Sequence, residues 1–357
     1  MKSVATVSVK ANTRLGPIST ALGLSLMLAA TVGFAQNASI PNLEGTWTNA
    51  SRTPLTRPRG IERLVVSAQE AEQIVANMSI AGISAENIAS GPAIDSATGA
   101  PPAGAQDFGL RGYNLVWTDP GSTLAYINGE YRTSLVIDPE NGQIPRREDP
   151  QLDFKRTSYG ARYLTGVGDA SGPEALPLEE RCLIGFGNTA GPGMLGTLYN
   201  SSYQFIQTDD YVVINVEMVH DTRIIPIYDN AEQARAHRRP MALEPWFGDS
   251  VGWYEDGSLI VETVNIKPLQ LSESSIPITK QGRIIETFTP SSEDEIVYRF
   301  TVEDDNIYRQ PWTAELSYHA LDGQLYEYAC HEGNYAMPGI MAGARRQEVM
   351  AEIGQLD

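Results

Sequence analysis

The sequence predicts a mainly β protein, with an antiparallel meander that closes into a barrel and with a few short helices and long loops. The second half holds a series of short runs rich in β-branched and aromatic residues, and turn pairs such as Asp256-Gly257 and Asp322-Gly323 separate them. The chain shows no internal repeat, which argues against a propeller or a solenoid. A meander of about eight strands tends to close, because closure removes exposed strand edges.

Residues 1–36 are predicted to be a signal peptide. Lys2, Lys10 and Arg14 supply positive charge, an apolar run follows over 18–34, and Ala35 completes a small-x-small cleavage pattern. The apolar run is short for a membrane span, although a membrane anchor is the alternative. We therefore expect a periplasmic or secreted protein with no integral membrane segment after cleavage.

Residues 37–150 are predicted to form an N-terminal extension with the first hairpins, either packed into the barrel or capping it. Ser67 and Glu70 form a capping-box pattern, and the apolar spacing behind it predicts a helix over 67–78. Gly, Ala, Ser and Pro dominate 82–106, which predicts a long surface loop. Short strands are then expected at 113–117, 123–127 and 133–137.

Residues 151–357 are predicted to be the main barrel region with a short C-terminal helix at 339–353. The periodicity and the turn residues place nine candidate strands at 203–208, 211–218, 223–228, 251–254, 258–264, 283–290, 295–302, 315–321 and 325–330.

Charge and cysteine content limit the partners and the compartment. The formal net charge of -18 disfavours binding to nucleic acid, because an acidic surface repels phosphate backbones. An exported chain with two cysteines, Cys182 and Cys330, favours one disulfide. The alternative is a free, nucleophilic thiol at Cys330 beside His331.

The motif Gly45-Thr46-Trp47 resembles the opening of lipocalins and other calycin-type barrels. The whole mature chain resembles a family of exported, mostly uncharacterised bacterial proteins. The segments that carry this resemblance are 45–51, 132–139, 217–226, 246–253, 259–265, 311–312 and 327–334. The resemblance implies that these segments belong to one unit, and it names no reaction.

Three polar groups contain the candidate site residues. The segment 326–335 gathers Cys330, His331, Glu332 and Tyr335 within ten residues. The second group is 217–223; on an unbroken strand its Glu217, Asp221 and Arg223 share one face, while His220 faces away or lies at a bend. The third group is Trp246, Asp249, Trp253 and Glu262.

These residue types suggest acid–base chemistry. His331 or His220 would act as the base, with Glu332, Glu262 or Asp249 as the acid or orienting partner. The predicted substrate-binding residues are Arg223 and Tyr335, which could hold a developing oxyanion, together with Tyr199, Trp246 and Trp253. The structural alternatives are a strand-end turn at His220-Asp221 with an ion pair to Arg223, a turn capped by Glu332, an outward-facing Glu262 and aromatic side chains that only fill the core.

The chain has no HExxH, G-x-S-x-G or Rossmann glycine motif, so no cofactor and no metal are predicted. The sequence therefore predicts an exported, cofactor-independent lyase, hydratase or isomerase that acts on a small apolar or aromatic molecule in the barrel cavity. The alternatives are a lipocalin-like carrier of a hydrophobic ligand and a structural envelope protein. The partner is a small-molecule ligand or substrate in the first two cases.

Overall fold

The computed structural model describes residues 40–78, 119–151, 170–267 and 274–353. These residues contain three α-helices and thirteen strands. The helices are α1 (Ala68–Ala76), α2 (Ala231–Ala236) and α3 (Ala336–Glu352). The strands are β1 (Gly45–Thr48), β2 (Val65–Val66), β3 (Tyr126–Ile127), β4 (Glu130–Arg132), β5 (Val136–Asp138), β6 (Ser202–Gln207), β7 (Tyr211–Val216), β8 (Thr222–Tyr228), β9 (Asp249–Glu255), β10 (Ser258–Val264), β11 (Arg283–Ser292), β12 (Glu295–Glu303) and β13 (Trp312–Ala320).

Nine strands form a closed barrel, which confirms the predicted fold class. The order is β1, then β6 to β13 in sequence, and β1 pairs with both β6 and β13 to close the ring. The ring pairs are antiparallel except β8 and β9, which run parallel because the chain returns through α2 between them. Part of the predicted N-terminal extension thus belongs to the barrel, since β1 closes it and β5 adds to β13.

The lumen of the barrel is filled with side chains. Along each strand alternate residues point inward, and the inward positions carry large aromatic residues without solvent exposure. Tyr203 meets Tyr318 edge to face with ring centroids 5.0 Å apart, and Phe205 meets Phe288 at 5.7 Å. The barrel interior is therefore a packed core, and a ligand has to be sought elsewhere.

A glycine-rich loop plugs one end of the barrel. The Met194 backbone N–H donates to the Tyr298 hydroxyl at 2.9 Å, and the Gly193 N–H donates to Glu286 at 3.3 Å. Gly193 has a φ of +73°, and a Cβ there would lie 3.3 Å from the Phe300 ring. Only glycine satisfies this conformation and this close approach.

The N-terminal part forms a small layer beside the barrel. Helix α1 begins after Ser67, where Ser67 and Glu70 form the predicted capping box. Strands β2, β4 and β3 make a three-stranded sheet, and Leu124 packs with Ala71 of α1 in its own apolar cluster. The predicted signal peptide, the loop at 82–106 and the strand at 113–117 lie outside the described residues.

The C-terminal part leaves the barrel after β13. Residues 325–330, predicted as a strand, have no regular structure, whereas the predicted C-terminal helix is present as α3. A disulfide between Cys182 and Cys330 ties this part to the loop before β6, as predicted. Within the described ranges, none of the helices is both long and apolar enough to cross a membrane.

Candidate functional site

A large pocket lies beside the barrel, between one end of it and the C-terminal segment. We call it the rim pocket; it is bounded by Thr48 and Ser202 of the barrel end, by Phe186 and Tyr199 of the preceding loops, and by the stretch 321–347. Its volume is about 1440 Å³. This exceeds the 300–1,000 Å³ or so that is usual for small-molecule sites, so a ligand of considerable size fits.

Helix α3 provides the apolar wall of the rim pocket. Met337, Ile340 and Ala344 follow helical spacing on one face and line the pocket together with Gly339 and Gly343. Among the described residues, no heavy atom lies within 4 Å of where a Cβ would stand on either glycine. The apolar face of α3 therefore borders the pocket.

Two attachments hold α3 over the pocket. The Cys182–Cys330 disulfide fixes the segment that precedes the helix. On the polar face, the Arg345 guanidinium donates to the carbonyl oxygens of Ala170 at 2.9 Å and Ser171 at 3.1 Å. The wall is thus fixed at both ends without filling the space beneath it.

Glu217 is the buried acid of the opposite wall. It lies at the end of β7, before the 3-10 turn Met218–His220, in which Val219 and His220 have positive φ values of 56° and 47°. The Glu217 side chain lines the pocket and is only 7% exposed. Asn200 Nδ2 donates to its Oε1 at 2.5 Å. In the described part of the chain, its Oε2 has no hydrogen-bond or ion-pair partner.

All charged residues of the described pocket lining are acidic. Six carboxylate residues contribute to it: Asp119, Glu179, Glu180, Glu217, Asp322 and Glu327. None of the described lining residues is Lys, Arg or His. Four aromatic residues, Phe186, Tyr199, Tyr326 and Tyr328, share the wall, and the first two meet edge to face with centroids 6.2 Å apart. The pocket is acidic and aromatic.

The predicted acid–base residues near the C-terminus lie outside this lining. His220, His331 and Glu332 are exposed and do not line the pocket, and Tyr335 is 83% exposed. Among the predicted site residues, Tyr199 alone is part of the lining. A 3-10 turn separates Glu217 from Arg223, so His220 lies at a bend, as one of the two alternatives expected, and it is exposed to solvent.

Arg223 lies inside the barrel. Its guanidinium donates to both carboxylate oxygens of Glu286, at 2.9 and 2.5 Å, and both side chains are almost fully buried. Burial alone would lower the pKa of Arg223, but the adjacent Glu286 carboxylate raises it above its ordinary value. Arg223 thus forms a buried ion pair, but with Glu286, 63 residues away, and not with the neighbouring Asp221 that the sequence suggested.

The third predicted group forms an ion cluster on the outside of the barrel. Glu262 accepts hydrogen bonds from Arg235 at 2.8 Å and Arg238 at 2.6 Å, and Arg238 and Arg239 also lie near Asp249. Burial acts to raise the pKa of Glu262, but these arginines outweigh it and leave the pKa below its ordinary value. The hypothesis of an inward general acid is therefore corrected: Glu262 is a permanent carboxylate under α2.

The two tryptophans of this group have surface partners. Trp253 packs under α2 with Arg235 over its ring at 5.6 Å, and the Lys267 ammonium lies 4.2 Å from the centroid of Trp246. Neither tryptophan lines the rim pocket. They stabilise the outer layer of the barrel.

Asp221 is a buried carboxyl that the sequence did not single out as a site residue. Burial raises the pKa of Asp221 to about 7, partly offset by the Gly185 N–H, which donates to it at 2.7 Å. The next residue, Phe186, belongs to the pocket wall. Asp221 thus lies behind that wall as a group that titrates near neutral pH.

No cluster suited to a metal ion is present in the described ranges, where no three His, Cys, Asp or Glu side chains converge suitably. Comparison with known proteins gave no match to any protein-family model, to any curated protein or to any solved structure. The resemblance to exported calycin-like proteins therefore stays a prediction, and the geometry of the rim pocket is the basis for any functional proposal.

Proposed function

We propose that the protein is an exported binding protein that holds an amphipathic small molecule in the rim pocket. The observation that carries the proposal is the apolar face of α3, which borders a cavity of about 1440 Å³. Exposed apolar surface is costly unless something covers it, so an open, partly apolar cavity favours a ligand. The disulfide fits the export predicted from the N-terminus, because such bonds persist in oxidising compartments.

The location differs from that of a lipocalin-type carrier. In the predicted carrier the ligand would enter the barrel, but aromatic side chains occupy the lumen here. The pocket uses the barrel end as one wall and the C-terminal segment as the other. The barrel then serves as a rigid support, and the ligand contacts come from loops and from α3.

A bulky side chain on the pocket side of α3 tests the proposal. Gly343→Trp places an indole on the pocket side of the helix, because Gly343 lines the pocket and no atom of the described residues lies within 4 Å of its Cβ position. Ala342→Trp is the matched control, since Ala342 is exposed and is not part of the lining. The probe is the neutral dye Nile red, whose fluorescence increases in an apolar site.

We expect Gly343→Trp to weaken dye binding by about tenfold or more, a change equal to about 1.4 kcal/mol. The thermal midpoint should not fall, because glycine is the poorer helix former. Ala342→Trp should bind like the wild type. Equal binding by both variants would refute the rim pocket as the binding site. If Gly343→Trp alone loses binding, native mass spectrometry of protein released gently from the periplasm would identify the natural ligand.

Acid–base catalysis in the same pocket is a second candidate, and Asp221 is the observation that favours it. A carboxyl with a pKa of about 7 can exchange protons at physiological pH. Asp221 accepts a hydrogen bond from Gly185, and Gly185 directly precedes the wall residue Phe186. The two functions differ in what happens to the recovered compound. A carrier returns it unchanged, whereas an enzyme converts it at a rate that follows the protonation of Asp221.

A further inference from the structure

We infer that the ligand of the rim pocket is an organic cation, an ammonium or guanidinium compound with an apolar body. This inference rests on the proposed function and adds the chemical class of the ligand. It is carried by Glu217, a buried carboxylate that faces the cavity without a cationic partner in the described part of the chain.

The burial of Glu217 is unusual for an acid. Carboxylates are rarely buried unless they are paired with a cation or accept several hydrogen bonds. Two other buried glutamates follow this rule: Glu286 is paired with Arg223, Glu262 with Arg235 and Arg238. The buried Asp221 has no cation among the described residues, but it lies behind the pocket wall and burial raises its pKa to about 7. Glu217 has only the neutral amide of Asn200, which donates to Oε1. Its Oε2 is left for a group that enters the pocket.

The surroundings of Glu217 favour a positive charge as well. Asp119, Asp322 and Glu327 also belong to the lining and add negative potential, and no Lys, Arg or His is among the described lining residues. The net charge of -18 extends this potential over the whole molecule. An anionic ligand would meet repulsion here, whereas a cation would be attracted toward the pocket.

The aromatic rings define the kind of cation. Phe186 and Tyr199 lie in the same wall as Glu217 and form an edge-to-face pair. Aromatic faces attract organic ammonium groups, and aromatic cages for quaternary ammonium ions use the same chemistry. A hard metal ion would instead need several oxygen ligands around one point, and no such convergence occurs within the described residues.

The apolar wall defines the rest of the ligand. Met337 and Ile340 of α3 face the same cavity as the acidic wall. A ligand that bridges both walls places its charged group at Glu217 and its hydrocarbon part along α3. Methionine suits such a wall, because its flexible thioether adapts to ligands of different shape.

The test compares head groups on one tail by isothermal titration calorimetry. The probes are decyltrimethylammonium, decyl maltoside and decanoate, each below its micelle concentration. We expect the cation to bind at least about tenfold more tightly than the neutral probe and the anion not to bind, since the Coulomb attraction between an ammonium and a partly buried carboxylate exceeds the roughly 1.4 kcal/mol that a tenfold difference requires. Glu217→Gln should remove the preference, so that the cationic and neutral probes bind this variant with similar affinity.

Two further variants make the result specific. Glu332→Gln removes the same charge from an exposed residue outside the lining and should keep the preference within about twofold, as expected for a screened surface charge. Glu217→Asp retains the charge and should retain part of the preference. Equal binding of cationic and neutral probes would overturn the cation inference while the binding function stands. Failure of all three probes would overturn both proposals.

Discussion

Replacing Glu286 with glutamine should destabilise the barrel by about 3–5 kcal/mol. The substitution keeps the shape of the side chain but leaves the Arg223 charge without its counter-charge in the core. Removing one partner of a buried ion pair typically costs this much, because an uncompensated charge stays buried. The full cost should apply to Arg223 and Glu286, since their side chains are only 2% and 0% exposed.

The contacts of Glu286 explain the magnitude. Besides the two bonds from Arg223, its Oε1 accepts from the Tyr298 hydroxyl at 2.6 Å and from the Gly193 N–H at 3.3 Å. A glutamine amide nitrogen at either oxygen position would face a donor in place of an acceptor. At least one donor of Arg223, Tyr298 or Gly193 is then left unpaired, which adds about 1–3 kcal/mol to the loss of charge compensation.

Urea unfolding followed by near-ultraviolet circular dichroism measures the effect. Glu303→Gln is the control, because Glu303 forms a partly exposed pair with Arg283 and should cost no more than about 1 kcal/mol. The double variant Arg223→Met/Glu286→Leu should regain part of the stability, because an apolar pair requires no charge compensation, although the Tyr298 hydroxyl and the Gly193 N–H lose their acceptor. A loss below about 1 kcal/mol for Glu286→Gln would refute the reasoning.

Two further predictions concern pH and the disulfide. The folded-state pKa of Asp221 is raised from 3.8 to about 7, so the stability that this group contributes is greatest below about pH 4 and is lost as the pH rises through 7. Asp221→Asn should therefore be more stable than the wild type at pH 8, by on the order of a few kcal/mol. At pH 4 the two proteins should be equally stable. Urea unfolding at both pH values checks this, and equal stability at pH 8 would contradict it. Reduction of Cys182–Cys330 should expose the segment after β13 to proteases and abolish dye binding. The circular dichroism signal of the barrel should persist. Unfolding of the whole barrel on reduction would contradict this prediction.

Much of the barrel could be predicted from the sequence, because alternation of apolar and polar residues is a local signal. The strand predicted at 258–264 matches β10, and those at 203–208 and 295–302 match β6 and β12 within one residue. Helix α1 was predicted from its capping box, which involves only Ser67 and Glu70. Each of these elements is determined by residues close together in the chain.

The strand expected at 325–330 shows where local signals fail. Its residues include Leu325, Tyr326 and Tyr328, which favour β-structure. A strand also needs a free edge to pair with, and β13 already has β12 on one side and β1 and β5 on the other. The segment therefore leaves the sheet, and its side chains line the rim pocket or face solvent.

The candidate site was harder to predict, because its walls come from distant parts of the chain. Clustering in sequence drew attention to His331 and Glu332, but the fold turns both toward solvent. Glu217 was noticed only as a neighbour of His220, and no local pattern indicates that it is buried without a cation. Asn200 carries no signal at all until the fold places it against Glu217.

The buried ion pair of the barrel and the polar groups of the rim pocket differ in how far the fold supplies their partners. In the barrel, an uncompensated charge would be costly, so the charges of Arg223 and Glu286 neutralise each other. At the rim, and within the described part of the chain, Glu217 Oε2 has no partner and the apolar face of α3 is uncovered. Charges that the fold compensates stabilise it, whereas groups that it leaves without partners are available for binding. We therefore propose that the rim pocket, and not the polar group in the barrel or the exposed histidines, is where the protein binds a ligand.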